Sequence, residues 1–168
     1  LSFDALQNMD DSALRRVLDS KVRGAWILHA LTRELTQLDH FVMYSSISSV
    51  WGAAEMAHYA AGNAFLDALA HHRRHLKLPA LAVNWSVWGD IGMINQSDDA
   101  SVYAKMGLNP VNADHALEAL GRLMDFGRTY GHGGKVTFSA GSLHASRVVA
   151  DVDWQKLRRI FVAKAPFF

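Results

Sequence analysis

The sequence predicts an α/β fold in which a parallel sheet is wrapped by helices. Two apolar runs, Phe41–Tyr44 and Leu81–Trp85, are short and bounded by turn residues, as strands buried on both faces are. An alanine-rich helical segment from about Met56 to Leu76 lies between them, giving the order strand, helix, strand of a parallel crossover. Ahead of both, Leu14, Leu18, Ala25 and Leu28 recur at steps of three and four once position 21 is counted, predicting an amphipathic helix over Asp11–Leu35.

Taken in order, Asp11 or Ser12 is expected to cap that first helix. Ser45, Ser46, Ser48 and Ser49 form the loop into which the first strand empties. The second helix carries a charged tail, His71, His72, Arg73, Arg74 and His75, read as a solvated face. Pro79 precedes the second strand, and Ser86–Gly92 follows it as a loop. Asn95–Met106 is polar and suits a mobile helix or lid, and Asn112–Asp125 reads as a helix. Lys135–Ala140 and Arg147–Val152 alternate as strands, and Trp154–Val162 reads as a short helix. The five tryptophans and eight phenylalanines are read mostly as core or pocket wall.

Composition narrows the classes of function. With 168 residues, half of them apolar, the chain is long enough for one domain with a real core. A net charge of +1 gives no reason to expect a nucleic-acid or anionic-membrane partner. No cysteine is present, which excludes disulfides and thiolate zinc sites and fits a reducing compartment. No apolar stretch is long enough to span a bilayer, and no signal peptide is evident, so the expected location is the cytoplasm. Because the chain begins at Leu1, it reads as a piece of something longer. His71, His72 and His75 have metal-ligand spacing, but neighbouring arginines repel a cation, so no metal is expected.

Three features stand out as chemistry. Lys21 falls on the apolar stripe of the first helix, where a lysine either snorkels or serves a purpose. Ser46 ends a buried strand, at the sheet edge where open α/β folds bind ligands, although a serine there is also an ordinary turn residue. Tyr59 and Asn63 lie four apart and share a helix face, with only Ala60, Ala61 and Gly62 between them. Together they compose a mechanism. A phenol with a pKa near ~10 is a poor acid at neutral pH. A nearby ammonium lowers that value and lets the phenol pass its proton. Ser46 would polarise a carbonyl, and Asn63 would hold Lys21 or an ordered water. Such a set suits carbonyl reduction by hydride.

Three segments then carry a resemblance: Phe41-Val42-Met43-Tyr44-Ser45-Ser46, Tyr59-Ala60-Ala61-Gly62-Asn63-Ala64-Phe65-Leu66-Asp67-Ala68-Leu69-Ala70, and Leu81-Ala82-Val83-Asn84-Trp85-Ser86-Val87-Trp88-Gly89. They resemble modular polyketide-synthase ketoreductases, of the short-chain dehydrogenase/reductase superfamily. Ser46 stands thirteen residues before Tyr59, the family's spacing. These ketoreductases place asparagine four after the tyrosine and bring the lysine from the preceding helix, here in Lys21-Val22-Arg23-Gly24-Ala25.

The resemblance implies the C-terminal portion of a Rossmann-like doubly wound sheet, with residues 1–162 as the catalytic portion and 163–168 as a tail. It implies NADPH-dependent reduction of an acyl-carrier-bound β-ketoacyl chain to the β-hydroxyacyl product. Tyr59 would donate the proton, Ser46 would orient the ketone, and Asn63 would support the lysine. Lys21 would lower the tyrosine pKa and contact the nicotinamide ribose, with Trp85, Ser86 and Trp88 bordering the nicotinamide and 95–106 folding over the substrate. Trp51, eight residues before Tyr59, matches the group giving the L-configured product; Met56 lies beside it without a readable preference.

The pyrophosphate site would lie in an N-terminal half that is expected as a partner. No glycine-rich turn between strand and helix occurs here, and Gly131-His132-Gly133-Gly134-Lys135 lacks the Ser/Thr and helix of a phosphate loop. Without that half the sheet would have an open edge and bared apolar surface. The alternative is a non-catalytic half-domain that serves as a structural or interaction module. The stretch Arg128–His144 is longer than the resemblance accounts for.

Overall fold

A computed structural model describes residues 5–89, 91, 103–105, 107–125, 128–130, 136–138 and 145–157. Its chain divides into two compact units, one of residues 1–84 and 123–148, the other of residues 85–122 and 149–168. The fold is α/β with a parallel sheet, as the sequence predicts.

The first helical stretch is not one regular helix. Helix α1 spans Asp11–Leu18, a π-helical segment spans Asp19–Gly24, and helix α2 spans Ala25–Thr32. Asp11 and Ser12 lie inside α1 and do not cap it; Ser12 Oγ instead donates to Asp10 Oδ1 at 2.8 Å. The π segment widens the turn to an i→i+5 pattern and breaks the run of threes and fours. Ala25 is buried, but Leu28 is 55% exposed, so the expected stripe is not buried along its whole length.

Strand β1 (Val42–Ser46), short helix α3 (Ser48–Trp51), helix α4 (Ala57–His75) and strand β2 (Leu81–Trp85) follow. Gly52 ends α3 at φ 72°, a left-handed value that suits glycine, and donates to Ser48 O at 2.9 Å. Helix α4 owes its length to alanine and leucine, which lose little on entering a helix. Its buried face, including Leu66, Leu69 and Ala70, packs with Ala25, Met43, Ala80, Ala82 and Ala145 into the core, and Phe41 and Phe65 cover it. Burying a side chain such as Leu66 contributes about 1.5–3 kcal/mol.

Arg73 corrects the reading of the α4 tail as a solvated face. Its residue is 0% exposed, with the guanidinium carbon 3.8 Å from the centre of the Phe41 ring. Nε donates to Pro79 O at 3.0 Å and Nη1 to Thr32 Oγ1 at 3.1 Å. Nη1 also lies 3.1 Å from His29 Nδ1. Burial, and then the Arg73 charge, push the His29 pKa below its ordinary value, which leaves a neutral ring able to accept from the guanidinium. Arg73 thereby fastens α2 to α4. Trp26, although it stacks near His29 and His72, is 49% exposed, and Trp154 is 66% exposed, so neither is a core residue.

Among the described residues the main sheet has the order β1-β2-β6, where β6 is Ser146–Val149, with β1 at one end. Trp26, Ile27, Leu28, Leu31 and Tyr44 are all exposed. In the second unit, strand β3 (Leu108–Asn109) pairs antiparallel with β7 (Asp151–Val152). Helix α5 (Ala113–Asp125) begins there, its first turn capped by Asn112 Oδ1, which accepts from Asp114 N at 2.8 Å. The predicted strand over 147–152 is thus two strands in different sheets. Strands β4 (Arg128–Tyr130) and β5 (Val136–Phe138) form an antiparallel pair within the long stretch. Most of 95–106, all of 131–135 and all of 158–168 fall outside the described residues; 103–105 and 154–157 are helical. Among the described residues no helix is long and apolar enough to cross a membrane.

Candidate active site

The π segment delivers Lys21 to the face of α4. Gly62 makes the approach possible: a Cβ built there would lie 3.1 Å from Lys21 Cβ and 3.5 Å from Val17 Cγ1. From that root Lys21 Nζ donates to the main-chain oxygen of Tyr44 in β1, at 2.8 Å. It also sits 5.4 Å from the centre of the Tyr59 ring. A cation so placed over a ring is attracted by its π face and lies near the phenol. Burial lowers the Lys21 pKa, opposed by the charge of Asp67, which raises it.

Ser46 closes β1 at its C-terminal end. Its hydroxyl oxygen accepts from Ser48 N at 3.2 Å, which leaves its own proton available to a ligand. Asn63 is 0% exposed and donates from Nδ2 to Tyr59 O at 2.8 Å. The hydrogen-bond partner shown for the lysine is therefore Tyr44 O, not Asn63; the Asn63 Oδ1 is buried without a protein partner.

Trp51 ends α3, and Met56, just before α4, is buried. In the second unit, the Trp85 and Trp88 rings meet edge-to-face at 5.0 Å, and the Ser86 hydroxyl is buried without a protein partner. Ser86 is held through its main chain, N donating to Val149 O at 3.0 Å.

Behind Ser46 lies a polar network that sequence reasoning missed. Asn84, 0% exposed in an otherwise apolar strand, donates from Nδ2 to Ser49 Oγ and to Asp67 Oδ2, each at 2.8 Å. The same amide lies 3.2 Å from Ser45 Oγ and 3.4 Å from Ser46 O, and its Oδ1 accepts from Ser146 Oγ. Ser49 Oγ is 2.6 Å from Asp67 Oδ2 and 2.8 Å from Ser46 O. A lone asparagine in the run Leu81-Ala82-Val83-Asn84-Trp85 was the available signal.

A parallel α/β sheet with a helix crossing between two of its strands is the fold of the short-chain dehydrogenase/reductase class, and Lys21 reaches the Tyr59 ring from the π segment ahead of β1. The comparisons narrow the class. The sequence model of the KR domain matches residues 1–90. A component of the pikromycin polyketide synthase from Streptomyces venezuelae, PikAIII, is 35% identical over 163 residues, 97% of this chain and 9% of that protein. Polyketide synthase GfsA of Streptomyces halstedii is 39% identical over 166 residues, 99% of this chain and 2% of that protein. Among solved structures, an A1-type ketoreductase matches with a TM-score of 0.83 at 30% identity, covering 97% of this chain and 31% of its own. The ketoreductase of the first module of phoslactomycin biosynthesis in Streptomyces sp. HK803 matches at 0.80 and 35% identity, covering 99% of this chain and 35% of its own. The chain belongs to the ketoreductase (KR) domain family of modular polyketide synthases. It spans about a third of the length of those solved ketoreductases.

The close approach at Gly62 has a measurable consequence. In a complete domain, Gly62→Val is expected to lower stability by about 1–3 kcal/mol, because a branched side chain must push α4 off the π segment. Urea unfolding checks this. An unchanged midpoint would mean that the two segments are not tightly apposed.

Proposed function

We propose that the chain is the catalytic portion of a ketoreductase that reduces a carrier-bound β-ketoacyl thioester to the L-configured β-hydroxyacyl product with NADPH. The observation that carries this reading is the Lys21 ammonium, held by Tyr44 O and 5.4 Å from the Tyr59 ring centre. NADPH, when bound, supplies the hydride that adds to the ketone carbon. Tyr59 gives its phenolic proton to the ketone oxygen, and Ser46 donates a hydrogen bond to that oxygen as charge develops on it. Lys21 favours the phenolate that Tyr59 becomes, and its remaining N–H donors suit the hydroxyls of the nicotinamide ribose. Asn63 Oδ1, a buried acceptor without a protein partner, fits an ordered water in support of the lysine. The buried Ser86 hydroxyl, likewise without a protein partner, fits a polar group of the cofactor, with Trp85 and Trp88 as apolar neighbours along the chain.

Product configuration rests on Trp51. Residues 1–162 would form the body of this portion and 163–168 a tail. The N-terminal half of the domain and the acyl carrier protein would be its partners, in the cytoplasm. The test is to give a complete domain a β-ketoacyl thioester, follow NADPH absorbance and resolve the product on a chiral column. NADPH consumption and an L product are expected. A domain that neither binds nor consumes NADPH would leave only the structural-module reading.

A further inference from the structure

Asp67 lies four residues beyond Asn63 and eight beyond Tyr59, so all three share one face of α4. Its Oδ2 is held by two donors, Ser49 Oγ at 2.6 Å and Asn84 Nδ2 at 2.8 Å. Its Oδ1 is buried and has no hydrogen-bond partner. Two such donors fix where the carboxylate sits. Ser49 Oγ and Asn84 Nδ2 also lie 2.8 and 3.4 Å from the Ser46 main-chain oxygen, so the groups that hold the carboxylate sit against the Ser46 turn, with the single Ser49 proton serving one oxygen at a time.

We propose that Asp67 is a positioning residue for the reduction: a fixed carboxylate, clamped by Asn84 and Ser49, that balances the Lys21 ammonium while the clamp holds the Ser46 turn. This rests on the reductase reading above. The sign follows from two opposed influences on Lys21. Burial disfavours its charged form, and the Asp67 charge favours it. Removing the carboxylate therefore makes Lys21 lose its proton at lower pH. That change moves the alkaline limb of the rate profile, where Lys21 loses its proton, toward lower pH.

The experiment measures kcat/KM against pH in a complete domain carrying Asp67→Asn, and in parallel Asp67→Ser, a smaller neutral replacement. The alkaline limb is expected to move toward neutrality by about half a unit or more in both variants, with Asp67→Glu returning it. Circular dichroism establishes which variants fold, and either neutral variant suffices. A merely structural role would lower the rate by one factor at every pH. A limb that stays in place in a folded neutral variant overturns the proposal. Failure of the underlying reading shows differently: a Tyr59→Phe domain that still turns over would remove the reductase mechanism whatever Asp67→Asn does.

Discussion

A complete ketoreductase domain carrying Tyr59→Phe is expected to lose about a hundredfold to ten-thousandfold in kcat/KM while binding NADPH nearly as before. The substitution is selective because phenylalanine keeps the ring and drops only the hydroxyl. The ring whose centre lies 5.4 Å from the Lys21 ammonium therefore survives, and with it the packing of α4. On the proposed mechanism, what disappears is the proton that reaches the ketone oxygen as hydride arrives at carbon. Fluorescence titration of NADPH and a turnover assay on the same preparation separate the two effects. Equal turnover would take Tyr59 out of the chemistry.

Lys21→Met should have the next largest effect. Methionine has nearly the length of the lysine stem and can lie in the same space beside Gly62, but it brings no charge. Losing the ammonium removes the positive charge that would steady the phenolate as the proton leaves. The rate should fall accordingly, and NADPH affinity should fall with it if the lysine also holds the ribose. Lys21→Arg should not restore activity: a planar guanidinium is broader than the ammonium, and the root of the side chain is confined, with Gly62 leaving 3.1 Å to a hypothetical Cβ. An unaltered pH–rate profile in the methionine variant would reduce Lys21 to a packing residue.

Violations of a pattern marked the candidate residues, and the resemblance to ketoreductases singled them out from ordinary core and turn residues. Lys21 interrupts an apolar stripe, and Tyr59 and Asn63 flank small residues at helical spacing. The second strand was readable to the residue, since five apolar-run positions between Pro79 and a loop leave little choice. The π segment was not readable: periodicity over Asp11–Leu35 averages across it, and no residue type marks an i→i+5 bond. Arg73 was misread because charge alone suggests solvent, whereas its burial depends on Phe41, Thr32 and His29, far away in sequence. Asn84 went unremarked inside an apolar run, although burying an unpaired amide costs about 1–3 kcal/mol and so calls for partners. Those partners, Ser49, Asp67 and Ser146, come from three separate stretches of chain.

Residues 19–24 store information in a count of peptide units as well as in side-chain identity. Shortening that bend by one unit would let it wind as an ordinary helix, yet would swing everything ahead of the deletion by about 100° around the axis. Relatives that retain the lysine but differ in length at this bend would carry the right amino acid aimed the wrong way.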